Sequence, residues 1–591
     1  MSFIKKSVRK FFQNLTMEES LKYPVSLIEG SILYQNSHQN AYGNLISQYR
    51  VREGEDDFTM YQCTRCNKYF GSYTGQEYHK CYSTPVISVS REAKDTFLDF
   101  VCCCNISANA ITGKYFERFI LVTGAQFITP YKKKFTEMLK EYALRIQAQM
   151  LASLKGEVVS ILIDGAKKCT QEFEGVILYS HDSLKFFSCV PVSNQKADTL
   201  SKLIALIVKV LANNSTRVVS VCSDNASNNI KSTNGGKNSA QDLAGFFFIR
   251  QSCGAHSVNL AIGDVFKSDL YEPLHKALCI VSKCTGGPRE TIRWESMYKV
   301  TQFVSDNFDS IKLQINMPHS SIKKNDIEKV RESLIVIVKT IYPMSLKEVV
   351  EVLEQIQDLI KYLEEDKSSI VDIFTKIYST LCTLYSFPKY NFTQMVIEKL
   401  EYRALTTIHM ILPLLSFLLT KEGLNAFRNA NSQMQNQIFN IAKVGIANYQ
   451  KEKANFIGWT EDQTNATINM MNSQLLLYIQ TANSSLISYD YWKLNEHSNN
   501  KEFAEFSKFC REILTIPASE ASVERLFAHL QRTYNSTNSN MKPDMLNYRM
   551  CVKMHNIFGA IENAIAGNGD MKFATLIHKY NESMDEDVVF G

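Results

Sequence analysis

The sequence predicts a mixed α/β fold interrupted by a long all-α stretch, with a small metal-binding module in front of it. Three observations carry this. Apolar runs of strand length cluster between residues 158 and 223, residues from about 265 to 500 follow helical periodicity almost throughout, and a compact group of cysteines and a histidine precedes both. At 591 residues the chain is too long for a single hydrophobic core. With 45% hydrophobic and 21% charged residues and 12 prolines, most of it can build packed interiors. The formal charge is +5, and residues 1–150 hold 19 Lys+Arg against 14 Asp+Glu, so the remainder is about neutral. Basic clusters at Lys5, Lys6, Arg9 and Lys10 and at Lys132, Lys133 and Lys134 suit phosphate contact or nuclear import.

Fifteen cysteines are spread thinly, which argues against a disulfide scaffold. The opening "MSFIKKSVRKFF" lacks the apolar region and cleavage site of a signal peptide. The longest apolar run, "MILPLLSFLLT", falls short of the ~20 residues of a spanning helix. A reduced intracellular compartment is the expectation, leaving cysteines free for metal.

Residues 1–54 show no clear periodicity and read as a poorly ordered basic arm. In residues 55–90, "YQCTRCNKYFGSYTGQEYHKC" places Cys63 and Cys66 two residues apart, with His79 and Cys81 after a gap of twelve. Two thiolates on a hairpin meeting two ligands from a helix is the frame of a ββα zinc finger, here a C2HC variant with a short His-x-Cys ending. Zinc would replace a core that so short a segment cannot build. Residues 91–152 read as a helical DNA-binding or dimerisation region.

The texture changes at "VVSILIDGA", a continuous apolar run ending at Asp164, as in a buried strand. "FEGVILYSH" and "LKFFSCVPV" follow as strands joined by short turns, "ADTLSKLIALIVKVLANN" is an amphipathic helix, and "RVVSVCSDNASNN" is a fourth strand ending at Asp224. Three strands able to form a meander, a helix, then a strand able to lie beside the first predict the opening of a ribonuclease-H-like fold over residues 153–264. "CGAHSVNLAIGDVF" reads as a helix after it. Residues 265–500 form an α-helical insertion, residues 501–558 the second part of the interrupted fold, and residues 559–591 a tail.

Metal-dependent phosphoryl transfer needs two or three carboxylates converging on a pair of divalent ions. Strand ends mount such acids well, because the sheet holds the backbone while the side chain reaches solvent. Asp164 and Asp224 both lie where buried strands emerge, on strands expected to be neighbours. Asp182, in the hairpin "SHDS", reads as an ordinary turn residue. A third acid comes from "IPASEASVERLF", residues 516–527. With Ser519 as N-cap, Val523, Leu526, Phe527 and Leu530 form the buried stripe, and Glu524 lies off it between the small residues Ala521 and Ala528. Glu520, in the first turn, suits the helix dipole without further role. Glu524 is therefore the better ligand.

From about residue 60 to 557 the chain resembles transposases of the hAT superfamily. "ILIDG", "SDNASNN", "CGAHSVNLAI", "IRWESM" and "IPASEASVERLFAHL" stand in the family's order, and the last resembles its C-terminal dimerisation signature. The resemblance implies a ribonuclease-H-like domain split by a large helical insertion, with a catalytic, metal-binding triad mapping onto Asp164, Asp224 and Glu524. It also implies that Cys253 and His256 form a Cys-x-x-His pair near the scissile phosphate, and that Arg293 and Trp294 bind DNA, the tryptophan receiving a flipped base. Gly165 after the first acid, Ala528 after Phe527 and the His79-x-Cys81 ending depart from the family pattern.

The implied activity is cut-and-paste DNA transposition. The chain would bind element ends, hydrolyse a phosphodiester with two Mg²⁺ or Mn²⁺ ions, leave a hairpin on flanking DNA, and join freed 3′ ends to a target. The expected partners are double-stranded DNA and at least one further copy of the chain through its C-terminal region, with no membrane; the expected compartment is the nucleus. The alternative is a domesticated nuclear relative that binds DNA and dimerises without cutting. A general nuclease of the same fold leaves the helical insertion and the Arg-Trp pair without a role.

Overall fold

The computed structural model describes residues 32–39, 45–53, 56–63, 69–70, 91–111, 116, 132–168, 171–181, 183–233, 236–289, 295–317, 322–534 and 541–565. The chain divides into two compact units, Met1–Met138 and Leu139–Gly591.

In the first unit, strands β1 (Ile32–Gln39), β2 (Leu45–Glu53), β3 (Asp56–Cys63) and β4 (Tyr69–Phe70) form an antiparallel sheet in chain order. β1 and β2 fall within residues 1–54, the segment expected to be a poorly ordered basic arm. Their sequences are polar and alternate weakly, so pairing rather than an apolar face defines them. β3 pairs with β4 through Tyr61–Phe70 and Gln62–Tyr69, so Cys63 ends the longer strand of a hairpin. Helix α1 (Arg91–Cys103) buries Leu98, Val101 and Cys102.

Helix α2 (Lys132–Ser153) leads into β5 (Val158–Lys168), β6 (Gln171–Ser180) and β7 (Ser183–Val192). Helix α3 (Ala197–Asn213) then crosses to β8 (Arg217–Ser223), and β9 is Ile249–Ser252. The five-stranded sheet has the order β7-β6-β5-β8-β9. β5, β6 and β7 form the antiparallel meander read from the sequence, while β8 lies parallel to β5 and β9 parallel to β8. A parallel neighbour needs a crossover, and the amphipathic α3 supplies it, burying Leu200, Ile204, Ile207, Val208 and Leu211. Of these, Ile204, Ile207, Val208 and Leu211 pack with Val159, Ile161, Ile163, Val176, Leu178 and Val221 in the core on one face of the sheet.

Helix α4 (Gly254–Phe266) follows β9, and no strand follows β9 among the described residues. The helices between residues 272 and 514, including α5 (Leu346–Leu363), α6 (Ile370–Ser386) and α7 (Lys501–Leu514), share one continuous apolar core with α4. The chain closes with α8 (Ala521–Thr533) and α9 (Pro543–Ile565). No helix among the described residues is long and apolar enough to cross a membrane.

Helix α8 packs on β5 and β6. Its stripe Val523, Leu526, Phe527 and Leu530 is buried, as its periodicity predicts. The approach is close because β6 has a glycine beneath the helix. A Cβ on Gly175 would stand 2.7 Å from Val523 Cγ1 and 2.9 Å from Leu526 Cδ2. Gly175 is the direct cross-strand partner of Asp164, so the helix lies over the face that carries Asp164.

At the opposite end of the strands, a buried ionic group ties the sheet to the helices. The Arg511 guanidinium, 3% exposed, pairs with Glu157 just before β5 and, at 2.8 Å, with Glu496. Its Nε donates to the Tyr489 hydroxyl at 3.0 Å. Arg217, at the start of β8, pairs with Glu496 at 2.9 Å, and Lys493 with Glu157 at 2.6 Å.

Two outcomes are expected. Gly175→Val should lower unfolding free energy by about 1–3 kcal/mol through overpacking beneath α8, read from urea denaturation. Arg511→Ala removes the enclosed guanidinium shared by Glu157 and Glu496, which keep Lys493 and Arg217, and should lower it by about 1.5–3 kcal/mol.

Candidate active site

The last pairs between β5 and β8 are Ser160–Ser220, Ile161–Val221 and Leu162–Cys222. Asp164 and Asp224 each stand two residues beyond the Leu162–Cys222 pair, so both emerge at the same end of adjacent strands. The residues before them, Val158–Ile163 and Val218–Ser223, are buried, and the two acids are half-buried. The apolar strand runs are thus what deliver the acids to the sheet edge.

Asp224 is oriented locally. Its Oδ1 accepts from the Ala226 amide at 2.9 Å and from Asn229 Nδ2 at 2.6 Å, a turn-type capture of the carboxylate by its own loop. Its backbone carbonyl accepts from Arg250 Nη2 at 2.7 Å, and Arg250 also donates to Asn225 Oδ1 at 3.0 Å and Ser252 Oγ at 2.9 Å. A partly buried guanidinium therefore braces the loop from β9. Sequence reading passed over Arg250, since nothing local sets one strand arginine apart.

A fourth acid was also missed. Glu174 on β6 lies opposite Gly165 and is 2% exposed. Burial, and next the charge of Asp164, push its pKa from 4.5 up to about 8; a hydrogen bond from Gln195 opposes this, and Asp224 adds to the rise. The space above Gly165 is filled by these groups. A Cβ there would stand 2.1 Å from Gln195 Nε2 and 2.7 Å from Glu174 Oε1. This explains why a bulky residue is excluded after Asp164 in this chain.

The motif helix differs from expectation at its start. Its N-cap residue is Glu520 and its first helical residue Ala521. Ser519 stands one residue before the cap; its hydroxyl accepts from the Ala521 amide at 3.4 Å and donates to the Leu363 carbonyl at 2.8 Å. Glu520 is likewise not a solvated first-turn acid but is 2% exposed. Burial pushes its pKa well above the carboxylate range, with the Cys253 thiol opposing by hydrogen bond and Asp164 and Glu524 adding to the rise. Its Oε2 is buried without a hydrogen-bond partner. The reason lies outside the helix, in the path of residues 516–520 between sheet and helices, which periodicity does not report. Glu524 is half-buried, one turn further along.

Cys253 caps α4, its Sγ accepting from the His256 amide at 3.3 Å. Burial, then Glu520, push this thiol well up, so it is held as a neutral thiol beside the acid. His256 is half-buried in the first turn of α4. The Gly254 amide donates to the Ala518 carbonyl at 2.8 Å, so the Cys-x-x-His turn and the "IPASE" segment are joined directly.

Asp164, Asp224, Glu174, Glu520 and Glu524 thus form one electrostatically linked set: Asp164 acts on Glu174 and Glu520, Asp224 on Glu174, and Glu524 on Glu520. Among the described residues no three acids, thiols or imidazoles stand together as a preformed metal shell. Cys66, His79, Cys81, Asp182, Arg293 and Trp294 lie outside the described residues, and of the finger ligands only the backbone of Cys63, at the end of β3, is within them.

The raised pKa of Glu174 sets a pH dependence. The native state keeps a proton that the unfolded chain loses near pH 4.5, so stability falls as pH rises from there toward 8. In metal-free buffer, Glu174→Gln should melt above the native protein at pH 8, and the difference should close toward pH 5, read by calorimetry.

No curated protein matches the chain. Residues 476–555 match the family model described as the hAT family C-terminal dimerisation region, a span that contains α7, α8 and Glu524. The chain is similar to the hAT family over that C-terminal region, and a dimerisation region there supports homo-oligomerisation.

Proposed function

We propose that this chain is a DNA transposase of hAT type, binding element ends and carrying out metal-dependent strand cleavage and transfer. The observation that carries the reading is the emergence of Asp164 and Asp224 at one end of adjacent parallel strands, with the helix that bears Glu524, within the matched region, packed on β5 and β6. The antiparallel meander followed by a parallel crossover supports a ribonuclease-H-like reading of the sheet.

The acids suit a divalent metal by their chemistry. Carboxylate oxygens are the hard donors that Mg²⁺ or Mn²⁺ prefer, and the buried Glu520 Oε2 has no partner. Burial raises Glu174 most and the charge of Asp164 next, and that repulsion is what a nearby cation relieves. Two such ions, when bound, activate the attacking oxygen and stabilise the leaving one. Asp164, Asp224 and Glu524 are the proposed ligands. Asp224 is pre-oriented through Ala226 and Asn229, which lowers the entropy lost on engaging a ligand. His256, at the helix turn tied to "IPASE", is proposed to donate to a phosphate oxygen, and Arg293 and Trp294 to hold DNA beside the cut.

Cys63, Cys66, His79 and Cys81 are proposed to bind zinc, a reading supported by their spacing and by the β3–β4 hairpin. The basic excess of the first 150 residues would supply salt-dependent phosphate affinity, and the proposed compartment is the nucleus.

The test uses the full chain, Mg²⁺ or Mn²⁺, and DNA from the flanks of its own gene. Nicking at the element boundary is expected. Asp164→Ala, Asp224→Ala and Glu524→Gln should each reduce it at least about a hundredfold while the protein still dimerises. Undiminished cleavage by these variants would remove them from the chemistry. An inactive native chain that still binds DNA and dimerises would mark a domesticated relative.

A further inference from the structure

Helix α8 carries an arginine directly after Glu524, and its partners beyond α8 lie on the helical stretch. The Arg525 guanidinium pairs with Asp366 and donates through Nη1 to the Glu364 carbonyl at 2.9 Å. The Ser522 hydroxyl donates to Asp366 Oδ1 at 2.7 Å, and Arg525 Nη2 also reaches Ser522 Oγ at 3.2 Å. Asp366 thus takes two side chains from α8, spaced three residues apart and lying on either side of Glu524 in sequence.

The same turn between α5 and α6 holds the segment that enters α8. Ser519 Oγ donates to the Leu363 carbonyl at 2.8 Å, the Ala518 amide to the Ser368 carbonyl at 2.9 Å, and the Ile370 amide to the Ile516 carbonyl at 2.8 Å. Ser369 and Pro517 form an isolated β-bridge. The backbone leading into the helix is therefore fixed by the 363–370 turn, and the first turn of the helix is fixed in rotation by Asp366. Packing on β5 and β6 through the apolar stripe sets the height of α8 over the sheet but leaves sliding and rotation weakly determined, since apolar contacts are not directional. A guanidinium fork with one arm on the Asp366 carboxylate and the other on the Glu364 carbonyl is directional.

We propose that Asp366 is a positioning residue for Glu524: through Arg525 and Ser522 it sets the rotation of α8, so that the α5–α6 turn of the helical stretch aims the third carboxylate at the Asp164–Asp224 edge. This rests on the reading of Glu524 as a metal ligand. It assigns a function to the helical stretch inside the site, where the chemistry itself needs only the sheet and α8.

The test is Mn²⁺ affinity of the full chain, measured by electron paramagnetic resonance without DNA, alongside melting temperature. Glu524→Gln should weaken Mn²⁺ binding. Asp366→Ala should weaken it by about tenfold or more, as loss of a ligand's supporting partner commonly does, whereas Asp366→Glu, which keeps an anionic acceptor, should recover most of it. Arg525→Lys keeps the charge but loses the fork, and should fall between. It also serves as the second variant if Asp366→Ala does not fold. A purely structural role predicts lower melting temperature with native Mn²⁺ affinity in the folded variants. Native affinity in Asp366→Ala and Arg525→Lys, with Glu524→Gln impaired, overturns the positioning role alone. Native affinity in Glu524→Gln removes the ligand reading and the positioning role with it.

Discussion

Residues 515–520 are gripped from two sides, and the candidate site depends on that grip. On the sheet side, Ser160 Oγ donates to the Thr515 carbonyl at 2.8 Å and in turn accepts from Ser220 Oγ at 2.7 Å. The Gly254 amide, at the start of α4, meets the Ala518 carbonyl. On the helical side, the turn between α5 and α6 takes Ile516, Ala518 and Ser519. A segment with so many directional bonds has little freedom to shift, and buried polar groups left unpaired by a shift would each cost about 1–3 kcal/mol. The chain enters this passage at Arg511, beside the starts of β5 and β8, and leaves it at Glu520 and Glu524, near their ends. One short stretch therefore runs the length of the central strands and converts a fold assembled from distant segments into a single edge of acids.

The electrostatics of that edge follow from burial more than from partnering. Two acids, Glu174 and Glu520, are almost fully enclosed, and both are pushed toward the neutral form first by loss of water and then by neighbouring carboxylates. Asp164 and Asp224 stay half in solvent. The set is thus graded, with enclosed acids flanking open ones. Cys253, held as a thiol by burial and by Glu520, belongs to the enclosed group and serves the α4 turn as a cap.

Much of the sheet was legible in the sequence because strand formation there is local. Val158–Ile163 and Val218–Ser223 are uninterrupted buried runs, and each ends in an acid followed by a polar or small residue. The periodicity of α3 and the stripe of α8 were equally legible, since amphipathic spacing survives in any context. β1 and β2 were not, because their polar sequences acquire strand structure only by pairing with each other and with β3.

The sequence by itself determined that two aspartates directly follow buried apolar strand runs (β5 itself continues past Asp164 to Lys168), that Glu524 lies off an apolar stripe, and that a hAT signature occupies the C-terminal region. These are properties of neighbours along the chain. Only the tertiary structure decided that Glu520 is enclosed, that Glu174 joins the acids from across Gly165, that Arg250 braces the Asp224 loop, and that Asp366 reaches Arg525 from 159 residues away. Enclosure and long-range ion pairing depend on which surfaces meet when distant segments pack, and no local spacing encodes that meeting.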